Sequence, residues 1–282
     1  MEWSDVRIFL TVARRGTLGA AARELGQTQP TMGRRLRAFE KALGHQLFQR
    51  TQDGFVLTDE GLSVFTHAER MEEEALSIHR ELTGSEAKLQ GLLRVSCSDW
   101  FGVTMLSPVL EEFSKIQPQI TVEVLTDPRL YSLPRREADL VFRIKAFDEA
   151  EVVSRRLMNI QYGVYIKKGI PHPTIENENC QLVLMDTAFS GMPDVEWITK
   201  QLPNARIASR SNSRMVQARL CALGIGIAVL PRPLGDSIPE IELVELGTTP
   251  PSRVTWLGYH RDMRRNGRLR ALLDLVLKKL AG

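Results

Sequence analysis

The stretch TQPTMGRRLRAFEKAL, residues 28–43, decides the fold of the first part of the chain. Its apolar residues recur at spacings of four, three and four, which places them on one stripe of a helix: Met32, Leu36, Phe39 and Leu43. The opposite face carries a proline and three cations: Pro30, Arg34, Arg37 and Lys41. Thr28 is a suitable N-cap, and proline is tolerated in a first helical turn. The helix therefore needs a core on one side, and its cationic side is either solvated or available to a polyanion.

The residues before this helix favour the second of those readings. Ser4 can cap a first helix over residues 5–15, and Thr17 can cap a short alanine-rich helix, LGAAAREL, which Gly26 ends. Two short helices joined by a tight turn, the second basic on its outer face, are typical of a helix-turn-helix. In that motif the N-terminal residues of the second helix lie on base edges in the major groove, and its arginines lie near phosphates.

A hairpin is predicted directly after the basic helix. Asp53-Gly54 is a turn signal between two short apolar-containing strands within residues 47–58. A small hairpin in this position is a wing. Arg50 and Thr51 then lie either against the DNA backbone or on an ordinary surface turn.

The charge distribution is polarised although the net charge is only +3. Residues 1–57 carry nine basic and five acidic side chains, whereas residues 58–89 are acidic. Thr58 starts a long helix in which apolar residues repeat every 3.5 positions: Val64, Ala68, Met71, Ala75, Ile78 and Leu82. This seam predicts pairing with the same helix of a second subunit. The alternative is that it packs on its own domain.

Composition excludes several classes of protein. A length of 282 residues suggests two or three folding units, and 43% hydrophobic residues are enough for packed cores. We expect no signal peptide, because the first ten residues lack a basic n-region followed by an apolar stretch, and no membrane span. Cys97, Cys180 and Cys221 show neither metal-ligand nor disulfide spacing, so buried thiols in a reducing cytoplasm are expected. A redox-sensing role for one thiol is the alternative.

From Leu92 onward, strand-like stretches alternate with helical ones, which is typical of an α/β fold. The predicted strands are 92–98, 120–125, 139–144, 162–168, 181–186, 206–209, 225–231 and 254–260. The predicted helices are 103–117, 130–137, 194–200, 213–223 and 264–280, and 98–102 is read as a loop. The chain is expected to leave one sheet for another near Tyr162 and to return near Tyr259. Two lobes joined by two crossings leave a cleft that suits a small ligand.

The N-terminal ninety residues resemble a LysR-type transcriptional regulator. The matching stretches are residues 9–50 and the following FVLTDEG, residues 55–61. The individual matches at family positions are Ala21-Ala22, Leu25-Gly26, Leu36, Phe39-Glu40, Leu43-Gly44, Leu47-Phe48, Arg50, Leu57-Thr58 and Gly61. The remainder resembles the effector domain of the family more loosely, through Asp139-Leu140 and GIGIAVLP, residues 224–231.

This resemblance implies an α+β multidomain protein. A winged helix-turn-helix occupies residues 1–58, a linker and dimerisation helix residues 59–90, and a two-lobed effector domain residues 91–282. That domain is periplasmic-binding-protein-like (type II), with lobe I at 91–161 and 260–282 and lobe II at 162–259. The implied protein is a cytoplasmic homodimer or homotetramer on double-stranded promoter DNA, with a small-molecule effector, no other cofactor, and RNA polymerase as a further candidate partner.

The resemblance also implies residue roles in DNA binding. Recognition-helix contacts of the family match Gln29, Pro30, Thr31 and Arg34, with Arg50 in the wing. Together with the cations named above and the two flanking threonines, the candidate set is Thr28, Gln29, Pro30, Thr31, Arg34, Arg37, Lys41, Arg50 and Thr51. The chain departs from the family at Gly33, where serine is common. That exchange removes a hydroxyl and costs up to about 1 kcal/mol of helix stability relative to alanine.

The effector candidates come from places where a strand ends and a helix begins, since free N–H groups there suit polar ligands. They are Ser98, Asp99, Trp100, Thr126, Asp127, Arg143, Asp186, Phe189, Arg210, Ser211 and Asn212. Each has a structural alternative: Asp99 can cap a helix, and Arg143 can pair with a neighbour. An aromatic ring beside a carboxylate, as in Trp100 and Asp99, suits a cationic or amine-bearing ligand.

Three other functions remain as alternatives. An enzyme is disfavoured, because no GxSxG, HExxH, Walker or GxGxxG sequence occurs and no nucleophile–base pair can be placed. A purely architectural DNA-binding protein would not need the lobes after Leu92. A regulator without a small-molecule ligand, either constitutive or redox-responsive, is the third.

Overall fold

The computed structural model describes residues 2–51, 54–83, 89–127, 129, 131–173 and 180–281, with the backbone alone at residues 73 and 76–83. The chain divides after Ala87 into two compact units, each with its own hydrophobic core. None of the helices in this described part has the length and apolar content that crossing a bilayer requires.

The described part of the first unit consists of helices and one hairpin: α1 (Trp3–Arg15), α2 (Leu18–Glu24), α3 (Gln29–Leu43), β1 (Phe48–Thr51), β2 (Gly54–Leu57) and α4 (Asp59–Thr83). Phe9 lies at the centre of its core. The Phe9 ring contacts three other rings, with centroid separations of 5.8, 5.3 and 6.4 Å: Phe39, Phe48 and Phe65. These tilted and edge-on contacts join α1 to α3, to the hairpin and to α4.

Helix α1 begins at Trp3 rather than at residue 5, because Glu2 occupies the N-cap position that the sequence assigned to Ser4. The Asp5 carboxylate accepts the Glu2 N–H at 3.4 Å. The Ser4 hydroxyl instead accepts a hydrogen bond from Arg35. The predicted C-terminal glycine is confirmed, since Gly16 ends the helix with a φ of +70°.

The wing packs against the end of α1 through a glycine. The Phe55 N–H donates to the Gly16 carbonyl at 2.7 Å. A Cβ on Gly54 would lie 2.3 Å from that same oxygen, so no larger residue fits without a shift of the backbone. Antiparallel pairing of β1 with β2 confirms the hairpin. Asp53, the other half of the predicted turn, lies outside the described residues.

Helix α4 divides its predicted seam between two environments. Ala68 is buried and Val64 is half-buried in the core of the first unit. This part of the seam therefore packs on its own domain, which was the alternative to pairing with a second subunit. Met71 is 39% exposed and Ala75 is partly exposed. The last two members of the seam, at positions 78 and 82, have side chains outside the described set.

The second unit contains two mixed five-stranded sheets. Their strands are β3 (Gly91–Ser96), β4 (Ile120–Leu125), β5 (Leu140–Arg143), β6 (Val152–Ile160), β7 (Tyr162–Lys167), β8 (Gln181–Leu184), β9 (Arg206–Arg210), β10 (Ile227–Pro231), β11 (Ile241–Val244) and β12 (Arg253–His260). The first sheet, here lobe I, has the order β4-β3-β5-β12-β6. The second, lobe II, has the order β11-β7-β10-β8-β9.

The helices in the described part of this unit lie between the strands in sequence, except the last, which follows β12. They are α5 (Asp99–Phe101), a π-helical turn (Gly102–Leu106), α6 (Ser107–Ile116), α7 (Pro193–Gln201), α8 (Arg214–Ala222), α9 (Arg232–Gly235) and α10 (Gly267–Leu280), with 3-10 turns at Thr187–Phe189 and Arg261–Arg265. The first three run on as one helical segment. Two sequence predictions are therefore corrected: residues 99–101 are helical rather than a loop, and 130–137 form no helix among the described residues, with turns at 133–136. Pro134 disfavours a helical conformation in the residue before it, and Arg136 has a φ of +54°.

The second crossing between the lobes lies earlier than predicted. The sequence assigned residues up to 259 to lobe II, but β12 pairs with β5 and β6 of lobe I. The chain therefore returns to lobe I between Val244 and Arg253. The physical reason is β6, a strand that the sequence reading missed, which pairs antiparallel with β12 along the whole of β12.

Candidate functional site

Helix α3 has one buried apolar face and one exposed cationic face. Met32 and Leu36 are 0% and 3% exposed, and Phe39 is also buried. On the other side the cations are exposed: Arg34, Arg37 and Lys41. The periodicity of the sequence thus predicted both faces correctly, and the cationic face lies in solvent.

The first turn of α3 presents short polar groups. Thr28 occupies the N-cap position, although its hydroxyl lies 2.9 Å from the Thr31 hydroxyl and does not bond to the backbone of the turn. Gln29 and Pro30 are exposed, and Thr31 is half-exposed. This end of the helix therefore offers an amide and two hydroxyls beside the cations.

The basic residues of this unit differ in how far their charge is already compensated. Arg35 donates to the Asp5 carboxylate at 2.6 and 3.0 Å, so its charge serves the contact between α3 and α1. The remaining predicted cations form no salt bridge to any described residue: Arg34, Arg37, Lys41 and Arg50. Arg50 and Thr51 are exposed on β1, and the Thr51 hydroxyl donates to the Gly54 carbonyl at 3.2 Å. Within the described part of the chain, four positive charges on α3 and the wing are therefore uncompensated.

Gly33 lies where α3 packs on α2. A Cβ built on Gly33 would be 3.4 Å from Cδ1 of Leu18, which is ordinary van der Waals contact with the end of a flexible side chain. The glycine is therefore not required by close packing.

Lobes I and II of the second unit enclose a cavity of about 370 Å³. Most of the predicted effector residues line it: Ser98, Asp99, Trp100, Asp127, Arg143, Phe189 and Asn212. Four predicted residues do not: Thr126, Asp186, Arg210 and Ser211. The last three have local structural partners instead, because Asp186 caps a 3-10 turn, Arg210 donates to a carbonyl, and Ser211 accepts a backbone N–H. Whether the lining residues bind a ligand stays a prediction.

The side chains of Asp99 and Trp100 are already engaged in contacts within the protein. The Asp99 carboxylate accepts the Trp100 N–H at 2.7 Å and a hydrogen bond from the Ser213 hydroxyl of the other lobe. Trp100 is only 5% exposed and packs edge-on against Phe101, with ring centroids 5.7 Å apart. The pair therefore does not form the open aromatic and carboxylate surface that the sequence suggested for a cation.

Arg143 is also held by its own neighbourhood. Its guanidinium donates to the Lys145 and Ala146 carbonyls at 2.9 Å and lies 3.7 Å from the centroid of the Phe147 ring. It reaches Glu149 at 3.3 Å. These contacts fix the guanidinium at the rim of β5.

Sequence reasoning missed a buried ionic cluster at the cavity wall. Asp194, 1% exposed, accepts a hydrogen bond from Arg214 at 2.5 Å through one oxygen and one from Arg253 through the other. Arg214 also donates to the Val229 carbonyl at 2.9 Å, and both guanidinium groups lie over the Tyr162 ring, at 5.5 and 5.6 Å. Burial is the largest cause that raises the pKa of Tyr162. We name Asp194, Arg214 and Arg253 the arginine cluster.

The three cysteines are buried free thiols, as the sequence predicted. Burial raises the pKa of the Cys97 thiol, at the cavity wall, to about 12, and that of Cys221 to about 11. The pKa of Cys180 is raised for the same reason. Within the described residues no group of His, Cys, Asp and Glu side chains is arranged to hold a metal ion.

Comparison with known proteins identifies both units. Residues 3–62 match the family model described as bacterial regulatory helix-turn-helix protein, lysR family, and residues 86–281 match the LysR substrate binding domain. The chain is 26% identical over 288 residues to the HTH-type transcriptional regulator CrgA of Neisseria meningitidis serogroup C (strain 8013), covering 98% of this chain and 96% of the relative.

Solved structures share this fold over nearly the whole chain. CrgA from Neisseria meningitidis aligns with a TM-score of 0.61 at 22% identity, covering 100% of both chains. Full-length CbnR complexed with its target DNA aligns with a TM-score of 0.60 at 20% identity, covering 99% of this chain and 100% of that one. A full-length OxyR variant from Pseudomonas aeruginosa aligns with a TM-score of 0.64 at 20% identity, covering 98% of both.

Proposed function

Because the chain belongs to the LysR family of DNA-binding transcriptional regulators, we propose that it binds promoter DNA through α3 and the wing under control of a small effector held between its lobes. The observation that carries this proposal is the division of α3 into a buried apolar face and an exposed, uncompensated cationic face. The relatives named above are transcriptional regulators, and an LysR substrate binding domain implies a small-molecule effector.

The DNA contacts fall into two classes. We assign phosphate contacts to Arg37, Lys41 and Arg50, with Thr51, because long cations and a hydroxyl on exposed surfaces suit the backbone. We assign base-edge contacts to the start of α3, where polar groups and one guanidinium lie together: Thr28, Gln29, Pro30, Thr31 and Arg34.

The test of the DNA contacts is a fluorescence anisotropy titration with the DNA upstream of the gene and a scrambled duplex of equal length. Arg34→Ala should weaken promoter binding and lower the preference for promoter over scrambled DNA, since a bidentate base contact discriminates by about 1–3 kcal/mol. Arg206→Ala is the control, because Arg206 is an exposed arginine of the second unit. Unchanged promoter affinity in folded Arg34→Ala would count against α3 as the reading helix.

The effector is assigned to the cavity between the lobes. Its volume of about 370 Å³ lies in the range of small-molecule sites, and its lining combines apolar side chains with polar and charged ones. A thermal-shift screen of metabolites, repeated on Phe189→Trp to fill part of the cavity, tests this assignment. A ligand of the cavity should lose its stabilising effect in that variant. Equal shifts in both proteins would place the site elsewhere.

We assign self-association to the exposed part of α4, with a dimer formed by this helix and a tetramer built from two dimers. Met71 and Ala75 continue the seam beyond its buried start. Light scattering should give two or four times the chain mass of 31.8 kDa. Met71→Glu should shift the mass toward the monomer, whereas Glu74→Ala, at an exposed position of the same helix, should not. From the proposed action on promoter DNA we infer a cytoplasmic location, with RNA polymerase as a candidate partner.

A further inference from the structure

Resting on the proposed function, we propose that the effector is a small carboxylate with a flat apolar body, bound by Arg253 of the arginine cluster. The arginine cluster lies in the cavity wall through Arg214 and Arg253. This inference names the chemical class of the ligand and the group that recognises it.

The charges of the arginine cluster do not balance. Two guanidinium groups share one carboxylate, so the arginine cluster carries one positive charge in excess. The side chains of Asp194, Arg214 and Arg253 are 1%, 8% and 10% exposed. A charge removed from water is costly unless it is paired and hydrogen-bonded. An anion in the cavity would supply the missing countercharge.

The two arginines of the cluster differ in how many hydrogen-bond acceptors surround them. Arg214 has the Val229 carbonyl and the Gln217 side-chain oxygen in addition to Asp194. Arg253 is less well provided: its Nη1 lies 3.2 Å from the sulfur of Met192, a weak acceptor, and its buried Nε–H has no acceptor among the described residues. Arginine presents its donors as a planar fork that matches a carboxylate. Of these two guanidinium groups, Arg253 is therefore the one whose N–H donors still lack good acceptors.

The other charged groups that line the cavity already have hydrogen-bond partners. Asp99 is bonded to Ser213 and to a backbone N–H. Arg129 pairs with Glu137 at 2.7 Å. Asp127 accepts a hydrogen bond from the Tyr131 hydroxyl.

Arg143 is bonded to two carbonyls and to a carboxylate. Arg253 differs from these groups, because it retains a buried Nε–H that has no acceptor among the described residues.

The remaining wall defines the body of the ligand. The lining includes aromatic and thioether side chains: Trp100, Phe101, Phe142, Tyr162, Phe189 and Met192. Ser96, Thr255 and Asn212 add neutral polar groups. Rings packing on rings prefer offset or edge-on contact, so a planar apolar group fits this surface. A volume of about 370 Å³ limits the ligand to a small molecule.

The position of Arg253 couples ligand binding to the contact between the two lobes. Arg253 belongs to β12 of lobe I, whereas Asp194 and Arg214 belong to α7 and α8 beside lobe II. The Asp194–Arg253 contact therefore joins the lobes. A ligand carboxylate that takes donors of Arg253 therefore changes the junction between the lobes.

The experiment uses the full-length protein and three nearly isosteric probes: phenylacetate, phenylacetamide and phenethylamine. Isothermal titration calorimetry should show phenylacetate binding at least about tenfold more tightly than the amide, because hydrogen bonds to charged groups exceed neutral ones. The amine should not bind. The inference is refuted if phenylacetate does not bind at concentrations up to about 10 mM, which is the weak end of the affinity scale. It is also refuted if the amine binds as tightly as phenylacetate or more tightly.

Variants locate the interaction. Arg253→Gln should remove the preference for phenylacetate over the amide, and Arg253→Lys should restore part of it. Arg155→Gln, an exposed arginine on the neighbouring strand of the same sheet, is the matched control and should bind as the wild type does. Thermal unfolding without ligand verifies that Arg253→Gln is folded. A preference that survives in folded Arg253→Gln overturns the assignment.

Failure of this inference can be distinguished from failure of the proposed function. If a neutral or cationic metabolite binds and loses affinity in Phe189→Trp, the cavity remains the effector site and only the carboxylate preference is refuted. If phenylacetate binds unchanged in both Arg253→Gln and Phe189→Trp, the site lies outside the cavity and both assignments fail.

Discussion

Removing one phosphate contact should change the salt dependence of DNA binding by a calculable amount. Four cations of α3 and the wing form no salt bridge to any described residue: Arg34, Arg37, Lys41 and Arg50. In a dimer the three that we assign to phosphates, Arg37, Lys41 and Arg50, would neutralise about six phosphates, which predicts a slope of about −5 in a plot of log affinity against log salt. Between about 50 and 200 mM salt, wild-type affinity should then fall by about three orders of magnitude.

Arg37→Ala removes two of these contacts from the dimer, so the slope should become about −4. Over the same fourfold rise in salt, the affinity gap between wild type and variant should narrow by about tenfold. Anisotropy titrations with the promoter duplex at four or more salt concentrations measure both slopes. The measurement needs no assumption about absolute affinity.

Two variants make the result specific. Arg35→Gln should leave the slope unchanged, because the Arg35 guanidinium is already bonded to Asp5. Arg206→Ala, in the second unit, should also leave it unchanged. A wild-type slope in folded Arg37→Ala would refute the reasoning, since the outer face of α3 could then not lie on the duplex.

Three further predictions concern stability and reactivity. Gly33→Ala should stabilise the protein by up to about 1 kcal/mol in urea unfolding, because its Cβ meets only the ends of flexible side chains, Leu18 at 3.4 Å and Arg37 at 3.9 Å, whereas Gly26→Ala should destabilise it, because Gly26 has a φ of +63°. Asp194→Asn should cost about 3–5 kcal/mol in the same assay, because it leaves two buried guanidinium groups without their carboxylate, and a cost below about 1 kcal/mol would show that the arginine cluster is not closed in solution. Native Cys97 should react with a thiol reagent far more slowly at pH 8 than in urea, since its pKa is raised to about 12; equal rates would show that the thiol is open to solvent.

The helices of the first unit could be predicted because their information is local. The 3.6-residue period identified the buried face of α3, and Thr17 and Gly16 fixed helix ends through hydrogen bonds and a positive φ. The error at the start of α1 was also local. Ser4 and Glu2 can each precede a helix, and the contact that decides between them comes from Arg35, about thirty residues away.

The strand β6 could not be found in this way. Its sequence, VVSRRLMNI, contains two adjacent arginines and neither alternates nor forms a continuous apolar run. It is a strand because β12 pairs with it, and that pairing also sets the boundary between the lobes. Partners that lie almost a hundred residues apart leave no local signal.

The arginine cluster was missed for the same reason. Asp194, Arg214 and Arg253 lie on three different elements, and no spacing rule relates them. In the sequence Asp194 is the acidic first residue of a predicted helix, Arg214 is the second residue of another, and Arg253 precedes a predicted strand. The sequence instead drew attention to Asp99 and Trp100, whose adjacency is local but whose groups are already bonded.

The second unit could respond either to oxidation of a thiol or to binding of a ligand at the arginine cluster. A reactive thiol is usually a thiolate, and burial raises the pKa of each of the three thiols, Cys97, Cys180 and Cys221, which disfavours that form. Binding energy is the input on which the proposed function depends. A ligand changes a conformational equilibrium only if its affinity differs between the two states. A carboxylate that accepts from Arg253 meets this condition, because the same guanidinium joins β12 to Asp194, and separating the lobes would remove one of the two partners between which Arg253 is shared.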